Sequence, residues 1–166
     1  RPNYPGPSGP RTPQGGKPFY GHQKDDEISD IEGQIKKCKN LSEISVEEIA
    51  KEDGIAEKLA KNFRGELKTT QLRKFFDSIV TNQENLKTKG WKSIESDFFM
   101  IRPNLAYAKG RKLIPDQFYR IVTLCLDRVS PEGSPEEHKK ENYARFVELL
   151  QALVAYSKYY EGTRGR

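Results

Sequence analysis

The sequence is poor in the residues that usually build disulfide scaffolds, metal sites and catalytic centres. Its 166 residues include two cysteines, Cys38 and Cys125, and two histidines, His22 and His138, all widely separated. A disulfide framework or a structural zinc site needs more of these residues at closer spacing. The composition therefore predicts two unpaired thiols in a reducing, cytoplasmic setting, and neither a metal nor any other cofactor.

Long apolar runs and catalytic motifs are missing as well. No stretch approaches the 18 or so apolar residues that a membrane span needs, and the start is polar and rich in proline and glycine, unlike a secretory signal. The sequence has no glycine-rich phosphate loop and no set of titratable residues at catalytic spacing. It therefore predicts a protein that is not an enzyme, contacts no membrane and takes no small-molecule substrate.

Charge is abundant and unevenly distributed. The net charge of +5 combines four bases and no acids in residues 1–24, four bases and eleven acids in residues 25–57, and twenty-one bases and thirteen acids in residues 58–166. A basic body beside an acidic patch suits a polyanionic ligand together with a basic protein neighbour. A solvated surface without partners is the alternative.

The same division predicts the organisation of the chain. Residues 1–24 hold six of the ten prolines and five of the thirteen glycines, so they bury too little apolar area to fold and are predicted to be a disordered basic arm. An acidic helical segment is expected over residues 25–57, and a helical bundle core over residues 58–166.

Apolar residues recur at steps of three and four, as on one face of a helix, and no segment alternates for long enough to be a strand. The predicted stripes are Ile28, Ile31 and Ile35; Ile55, Leu59 and Phe63; Leu72, Phe75, Phe76, Ile79, Val80 and Leu86; Phe118, Ile121, Val122, Cys125 and Val129; and Tyr143, Phe146, Val147, Leu150, Leu153 and Val154. They predict an all-α fold, a compact bundle of about five helices.

Local signals predict where the helices begin and end. Ser45, Thr69 or Thr70, and Ser134 are expected to be N-caps, because their hydroxyls can accept a free first-turn amide. Pro103 is expected to break or kink the helix in which it lies, because its ring removes a hydrogen-bond donor.

Two basic clusters are the main functional signal. Residues 58–74 carry six bases against one acid, and residues 102–112 carry four bases and no acid. The binding candidates are Lys68, Arg73, Lys74, Arg102, Tyr107, Lys109, Arg111 and Lys112. Cations near helix ends, beside an aromatic ring, suit single-stranded nucleic acid. The alternative is that Arg73 pairs with Asp77 one turn later and the others are solvated.

The last helix predicts a second contact surface. Tyr156 and Tyr159 project away from its core stripe, so the helix is apolar nearly all round after Glu148. Such a helix is either buried within the bundle or meets another protein. Tyr156 and Tyr159 are therefore candidates for a protein interface.

Three stretches point to a known family. Residues 67–73 read Leu-Lys-Thr-Thr-Gln-Leu-Arg, residues 105–111 read Leu-Ala-Tyr-Ala-Lys-Gly-Arg, and residues 151–160 read Gln-Ala-Leu-Val-Ala-Tyr-Ser-Lys-Tyr-Tyr. In this order and spacing they resemble motifs of the small subunit of Csm-type (type III-A) CRISPR–Cas effector complexes. The resemblance spans about residues 66 to 161 and leaves residues 1–57 outside.

The resemblance implies a non-catalytic subunit of an antiviral ribonucleoprotein. Several copies of such a subunit stack beside other subunits and line the channel for guide RNA and single-stranded target RNA. They contact mainly the backbone of the target strand and do not read its sequence. By position, the RNA-facing candidates are Lys68, Arg73, Arg102, Lys109 and Arg111.

Other functions remain open on the sequence alone. The small subunit of the related Cmr-type (type III-B) complex is one alternative. A helix-turn-helix DNA-binding regulator is another, with its recognition helix beginning near Thr69. A helical scaffold that binds no nucleic acid is the third.

Overall fold

A computed structural model describes residues 19–162, with side chains from Gln23 onward. This part of the chain contains no strand, so the predicted all-α bundle is confirmed. It forms seven α-helices: α1 (Phe19–Lys37), α2 (Val46–Ala50), α3 (Ile55–Asn62), α4 (Thr69–Lys89), α5 (Glu95–Gly110), α6 (Asp116–Val129) and α7 (Glu136–Gly162). Short 3₁₀ turns lie at Leu41–Glu43 and Trp91–Ser93.

Helix α7 is the central element of the bundle. It packs along α3 and α4 and also contacts α2 and α6. Its buried residues lie within about half of its circumference, and they include Tyr143, Phe146, Val147, Leu149, Leu150 and Leu153. Ala155 and Tyr159, on the opposite side, are exposed. Burial within the bundle therefore explains one face of this helix and leaves part of its apolar surface open.

Helix α1 joins the same core. Its predicted stripe, Ile28, Ile31 and Ile35, is buried at 1–3% exposure, and the helix packs on α6 and α3. It begins at Phe19, so the last six residues predicted to belong to a disordered arm are helical. Residues 1–18 of that arm lie outside the described residues.

The structure confirms one predicted N-cap and contradicts another. Ser45 is the N-cap of α2, and its hydroxyl accepts the amide of Glu48 at 3.1 Å. The prediction of Thr69 or Thr70 as a cap is wrong, because α4 already begins at Thr69, and Lys68 is its N-cap without a side-chain cap bond. Burial of the flanking leucines fixes the start of the helix more strongly than a cap worth about 1 kcal/mol.

Pro103 and Ser134 also depart from prediction. The sequence predicts that Pro103 breaks or kinks its helix, but helix α5 continues through it, so it does not break the helix. Ile101 and Leu105 on either side are buried, and their packing offsets the roughly 3 kcal/mol cost of an interior proline. At the start of α7, the Pro135 carbonyl accepts the first helical amide. Pro135 is therefore the N-cap, and not the predicted Ser134.

A buried asparagine connects α7 to the loop after α1. Asn142 is fully buried, and its amide nitrogen donates to Asn40 Oδ1 at 2.9 Å and to the Val129 carbonyl at 3.2 Å. Its Oδ1 accepts the amide of Ser42 at 3.0 Å. Arg145, one turn later, donates to the Ser42 carbonyl at 3.1 Å. These bonds hold the loop after α1 and the end of α6 against α7.

Candidate nucleic-acid interface

Helices α4 and α5 border a shallow groove of about 210 Å³, which we call the basic groove. Its rim residues are Gln71, Lys74 and Ser78 of α4 and Asn104 and Ala108 of α5. Its floor is apolar and consists of Leu67, Leu72, Phe75, Leu105, Ile114 and Phe118. The groove brings the first basic cluster beside the second half of α5, where the second cluster lies.

The start of α4 carries unpaired cations, and one of them, Lys74, lines the groove. Lys68, Arg73 and Lys74 are exposed, and none of them takes part in an ion pair within residues 23–162. The alternative pair between Arg73 and Asp77 does not form there. Because Lys68 provides no side-chain cap, the first-turn amides of α4 add to the attraction for anions.

Two cations of the second cluster turn instead towards α6. Arg102 pairs with Asp127, and Lys109 Nζ lies 3.8 Å from Asp116 Oδ1 and 4.7 Å from the centre of the Tyr119 ring. Two acids of α6 therefore partly neutralise these charges. We call Arg102 and Lys109 the paired cations.

Arg111 is held against an exposed aromatic ring. Its Nη1 donates to the Tyr107 hydroxyl at 2.9 Å, and its guanidinium carbon lies 5.6 Å from the ring centre. Tyr107 is 63% exposed. The ring limits the conformations of the guanidinium, so less side-chain entropy is lost when Arg111 binds an anion.

Helix α5 ends in a Schellman motif. The Leu113 amide donates to the Ala108 carbonyl and the Lys112 amide to the Lys109 carbonyl, both at 2.9 Å. Lys112 takes the left-handed position of this motif, with φ of 58°, where glycine is usual. Gly110 is the last residue of α5.

This backbone strain predicts that Lys112→Gly stabilises the fold. The left-handed conformation costs about 1–2 kcal/mol for a residue with a Cβ, and glycine loses about 0.5–1 kcal/mol more entropy on folding. We expect a net gain of about 0.5–1 kcal/mol in the free energy of unfolding, measured by urea denaturation. Lys112→Ala is the control, because it removes the charge and keeps the strain, and it should show no gain. An equal gain in both variants would attribute the effect to charge.

Sequence reasoning missed the uncharged rim of the groove. Gln71, Ser78 and Asn104 are polar and border the basic groove, but they carry no charge that would distinguish them in a sequence. The spacing of Gln71, Lys74 and Ser78 by three and four residues places them on one face of α4. That spacing, read beside Lys74, is the signal that could have found them.

The predicted tyrosine interface lies elsewhere, beside α2. Tyr159 is 62% exposed. Tyr156 is half-buried, and its hydroxyl donates to the Ala50 carbonyl at 2.7 Å. Tyr156 therefore also joins α7 to α2 within one subunit, while Tyr159 is available for a partner.

Residues 19–162 offer neither a metal site nor a membrane span. No group of three His, Cys, Asp or Glu side chains there could hold a metal ion, and none of the helices described is long and apolar enough to cross a membrane. Burial raises the pKa of the Cys125 thiol to about 12, so this thiol stays protonated at neutral pH and is unreactive.

Comparison with protein families decides the identity. The family model described as Csm2 Type III-A matches residues 46–163. The chain belongs to the Csm2 Type III-A family. It is thus a small subunit of the type III-A CRISPR effector complex, as the three motifs predicted. Comparisons with curated proteins and with solved structures found no match.

The family assignment bears on two of the open alternatives. The match to a type III-A model favours the Csm type over the Cmr type. It begins at Val46 and so adds α2 and α3 to the region of resemblance. A helix-turn-helix joins its two helices by three or four residues, whereas residues 63–68 separate α3 from α4. Csm2 membership also implies other subunits of the effector complex as partners.

Proposed function

We propose that this Csm2 subunit holds the backbone of single-stranded target RNA along the basic groove, without catalysis and without reading the RNA sequence. The observation that carries the proposal is that Arg73, Lys74, Arg111 and Lys112 have no ion-pair partner within residues 23–162. Lys74 lines the basic groove. Arg73 lies on the opposite face of α4, and Arg111 and Lys112 follow the end of α5. Guide RNA and further copies of this subunit are the other partners that we propose.

The chemistry of these groups favours backbone contact. Lysine and arginine bind phosphate oxygens, which are the same in every nucleotide and carry no sequence information. Tyr107 offers an exposed ring on which any base can stack. The paired cations already have carboxylate partners, so their gain from a phosphate is smaller.

The proposed function is tested with Arg73→Ala and Arg73→Lys in the assembled complex. We expect the alanine variant to bind two unrelated target RNAs more weakly by the same factor, because a phosphate contact does not depend on the base. The lysine variant should recover only part of the affinity if the guanidinium binds in a bidentate manner. Duplex DNA of matching sequence serves as the competitor. A loss confined to one RNA sequence, or stronger binding of duplex DNA, would contradict the proposal.

Absence of catalysis is the second part of the proposal. We expect the purified subunit to cleave neither RNA nor nucleotides, with or without divalent metal, because the sequence has no set of titratable residues at catalytic spacing. The measurement is a cleavage assay on labelled single-stranded RNA. Metal-dependent cleavage that copurifies with the subunit and disappears in a point variant would contradict this expectation.

We further propose that Tyr159, next to Tyr156, contacts a neighbouring subunit in the complex. Tyr159→Lys should lower the yield of assembled complex severalfold, because it places a charge in an apolar contact, while circular dichroism of the subunit stays unchanged. Tyr159→Phe keeps the ring and serves as the control. Tyr156 is left intact because its hydroxyl bonds to Ala50. Wild-type assembly of the lysine variant would contradict this assignment.

A further inference from the structure

A second groove lies on another side of the bundle, between α2 and the second half of α7. Its volume is about 690 Å³, and we call it the acidic groove. Val46 and Ala50 of α2 and Ala152, Ala155 and Tyr159 of α7 give it an apolar lining. Val46 is 42% exposed and Tyr159 62% exposed, so a substantial apolar surface remains uncovered within the described residues.

The rim of this groove is negatively charged. Residues 43–57 carry six acids and one base, and Glu52, Glu57 and Glu148 line the groove itself. Glu148 pairs with Arg145, and Glu57 accepts the Tyr160 hydroxyl and lies 3.8 Å from Lys61. Glu52 has no ion pair within residues 23–162. An occupant of matching chemistry is cationic and has apolar groups.

Residues 1–18 of the same chain have that chemistry. They carry three bases and no acids, six prolines and one tyrosine, Tyr4. Proline-rich segments favour the extended polyproline II conformation, which docks into grooves lined by aromatic rings at a low cost in entropy. The acidic groove supplies an exposed aromatic ring, Tyr159, beside its carboxylates.

The position of α1 places this segment within reach of the groove. Lys24 of α1 pairs with Glu66 in the connection between α3 and α4. Ser157 and Tyr160 of α7 line a cavity together with Arg64 and Gly65 of the same connection. The start of α1 and the last turns of α7 therefore both adjoin the connection between α3 and α4. Eighteen residues in polyproline II conformation span about 56 Å, which is several helix diameters.

From these observations we infer that residues 1–18 dock into the acidic groove of their own subunit when the subunit is not assembled. Arg1, Arg11 and Lys17 supply charges that complement the acidic rim, and the prolines and Tyr4 supply apolar groups that complement the lining beside Tyr159. Attachment to the same chain gives the segment a millimolar effective concentration at the groove. Even with a weak contact, the groove is then occupied in most molecules. When the protein is at micromolar concentration, docking within one chain dominates over docking of a second copy.

Paramagnetic broadening in the full-length chain tests this inference. Ser8→Cys in a Cys38→Ser background is coupled to a nitroxide, while Cys125 is buried and does not react. We expect the amide signals of Ala50, Gln151 and Tyr159 to broaden. A sample that mixes nitroxide-bearing unlabelled chains with isotope-labelled chains lacking the nitroxide should show no broadening, because the label then sits on another copy.

The double variant Glu52→Lys/Tyr159→Ala should release the segment. Loss of an aromatic contact and reversal of one exposed charge weaken the docking equilibrium roughly tenfold, so broadening at Ala50 and Gln151 should fall. Phe99→Ala is the matched control, because Phe99 is equally exposed, at 60%, and lies on α5. Absence of broadening at the groove, its persistence in the double variant, or equal broadening in the mixed sample would overturn the inference. None of these readouts depends on RNA binding or on assembly.

Discussion

Replacing Asn142 by alanine is expected to lower the free energy of unfolding by about 3–4 kcal/mol, the largest stability effect of any single substitution that we predict. The change leaves the Ser42 amide, the Asn40 side chain and the Val129 carbonyl without their partner. Each buried group left unsatisfied costs about 1–3 kcal/mol. A typical domain is stable by about 5–15 kcal/mol, so this loss is a large fraction of the total. Urea denaturation followed by circular dichroism measures it.

The matched control for this prediction lies on the same helix. Gln151 is exposed on α7, and Gln151→Ala should change stability by less than about 0.5 kcal/mol. Asn142→Asp keeps an acceptor for the Ser42 amide but places a buried carboxylate against Asn40 Oδ1 and the Val129 carbonyl, so at neutral pH it should destabilise at least as much as the alanine variant. A loss below about 1 kcal/mol for Asn142→Ala would show that the loop after α1 is held by other contacts.

Removing four of the unpaired cations of the two basic clusters is expected to weaken target-RNA binding by roughly 200-fold at about 150 mM salt. The variant is Arg73, Lys74, Arg111 and Lys112→Ala together. Each phosphate contact on a single strand contributes about 0.7 to the log–log salt slope, and four such contacts extrapolated from about 1 M salt give this factor. The measurement is equilibrium binding of single-stranded target RNA to the assembled complex.

Two control variants separate this effect from loss of overall charge. Lys36→Ala/Lys37→Ala removes two exposed cations from α1, in the acidic segment, and should leave affinity unchanged. Arg102→Ala/Lys109→Ala removes the paired cations and should weaken binding by less than about tenfold, because their carboxylate partners already satisfy part of their charge. If the variant with all four substitutions forms an intact complex and binds target RNA within about threefold of the wild-type affinity, the assignment is contradicted.

Helical periodicity predicted most of the core, because the burial of one apolar face governs each amphipathic helix. Ile28, Ile55, Leu72 and Phe118, one from each of four predicted stripes, are all buried. The prediction of a boundary at Pro103 failed for the same reason. A rule about one residue's backbone does not include the tertiary packing that holds both halves of α5 in the core.

The candidate site could be predicted only in part. Composition located the two basic clusters, since charge density is visible in the sequence. It could not separate Arg73, which is unpaired, from Arg102, whose partner Asp127 lies on another helix. The left-handed conformation of Lys112 was also beyond prediction, because lysine gives no sign of positive φ. Both depend on contacts that only the folded chain creates.

The salt dependence of RNA binding tests the central claim most directly. Target-RNA affinity of the assembled complex is measured from about 50 to 200 mM salt for the wild type, for Arg73→Ala and for the variant with all four cations replaced by alanine. If these four unpaired cations bind phosphates, the slope of log affinity against log salt concentration becomes shallower by about 0.7 for Arg73→Ala and by about 2.8 for the variant with all four substitutions. Parallel lines for all three proteins, with the complex intact, would show that these residues do not hold the RNA.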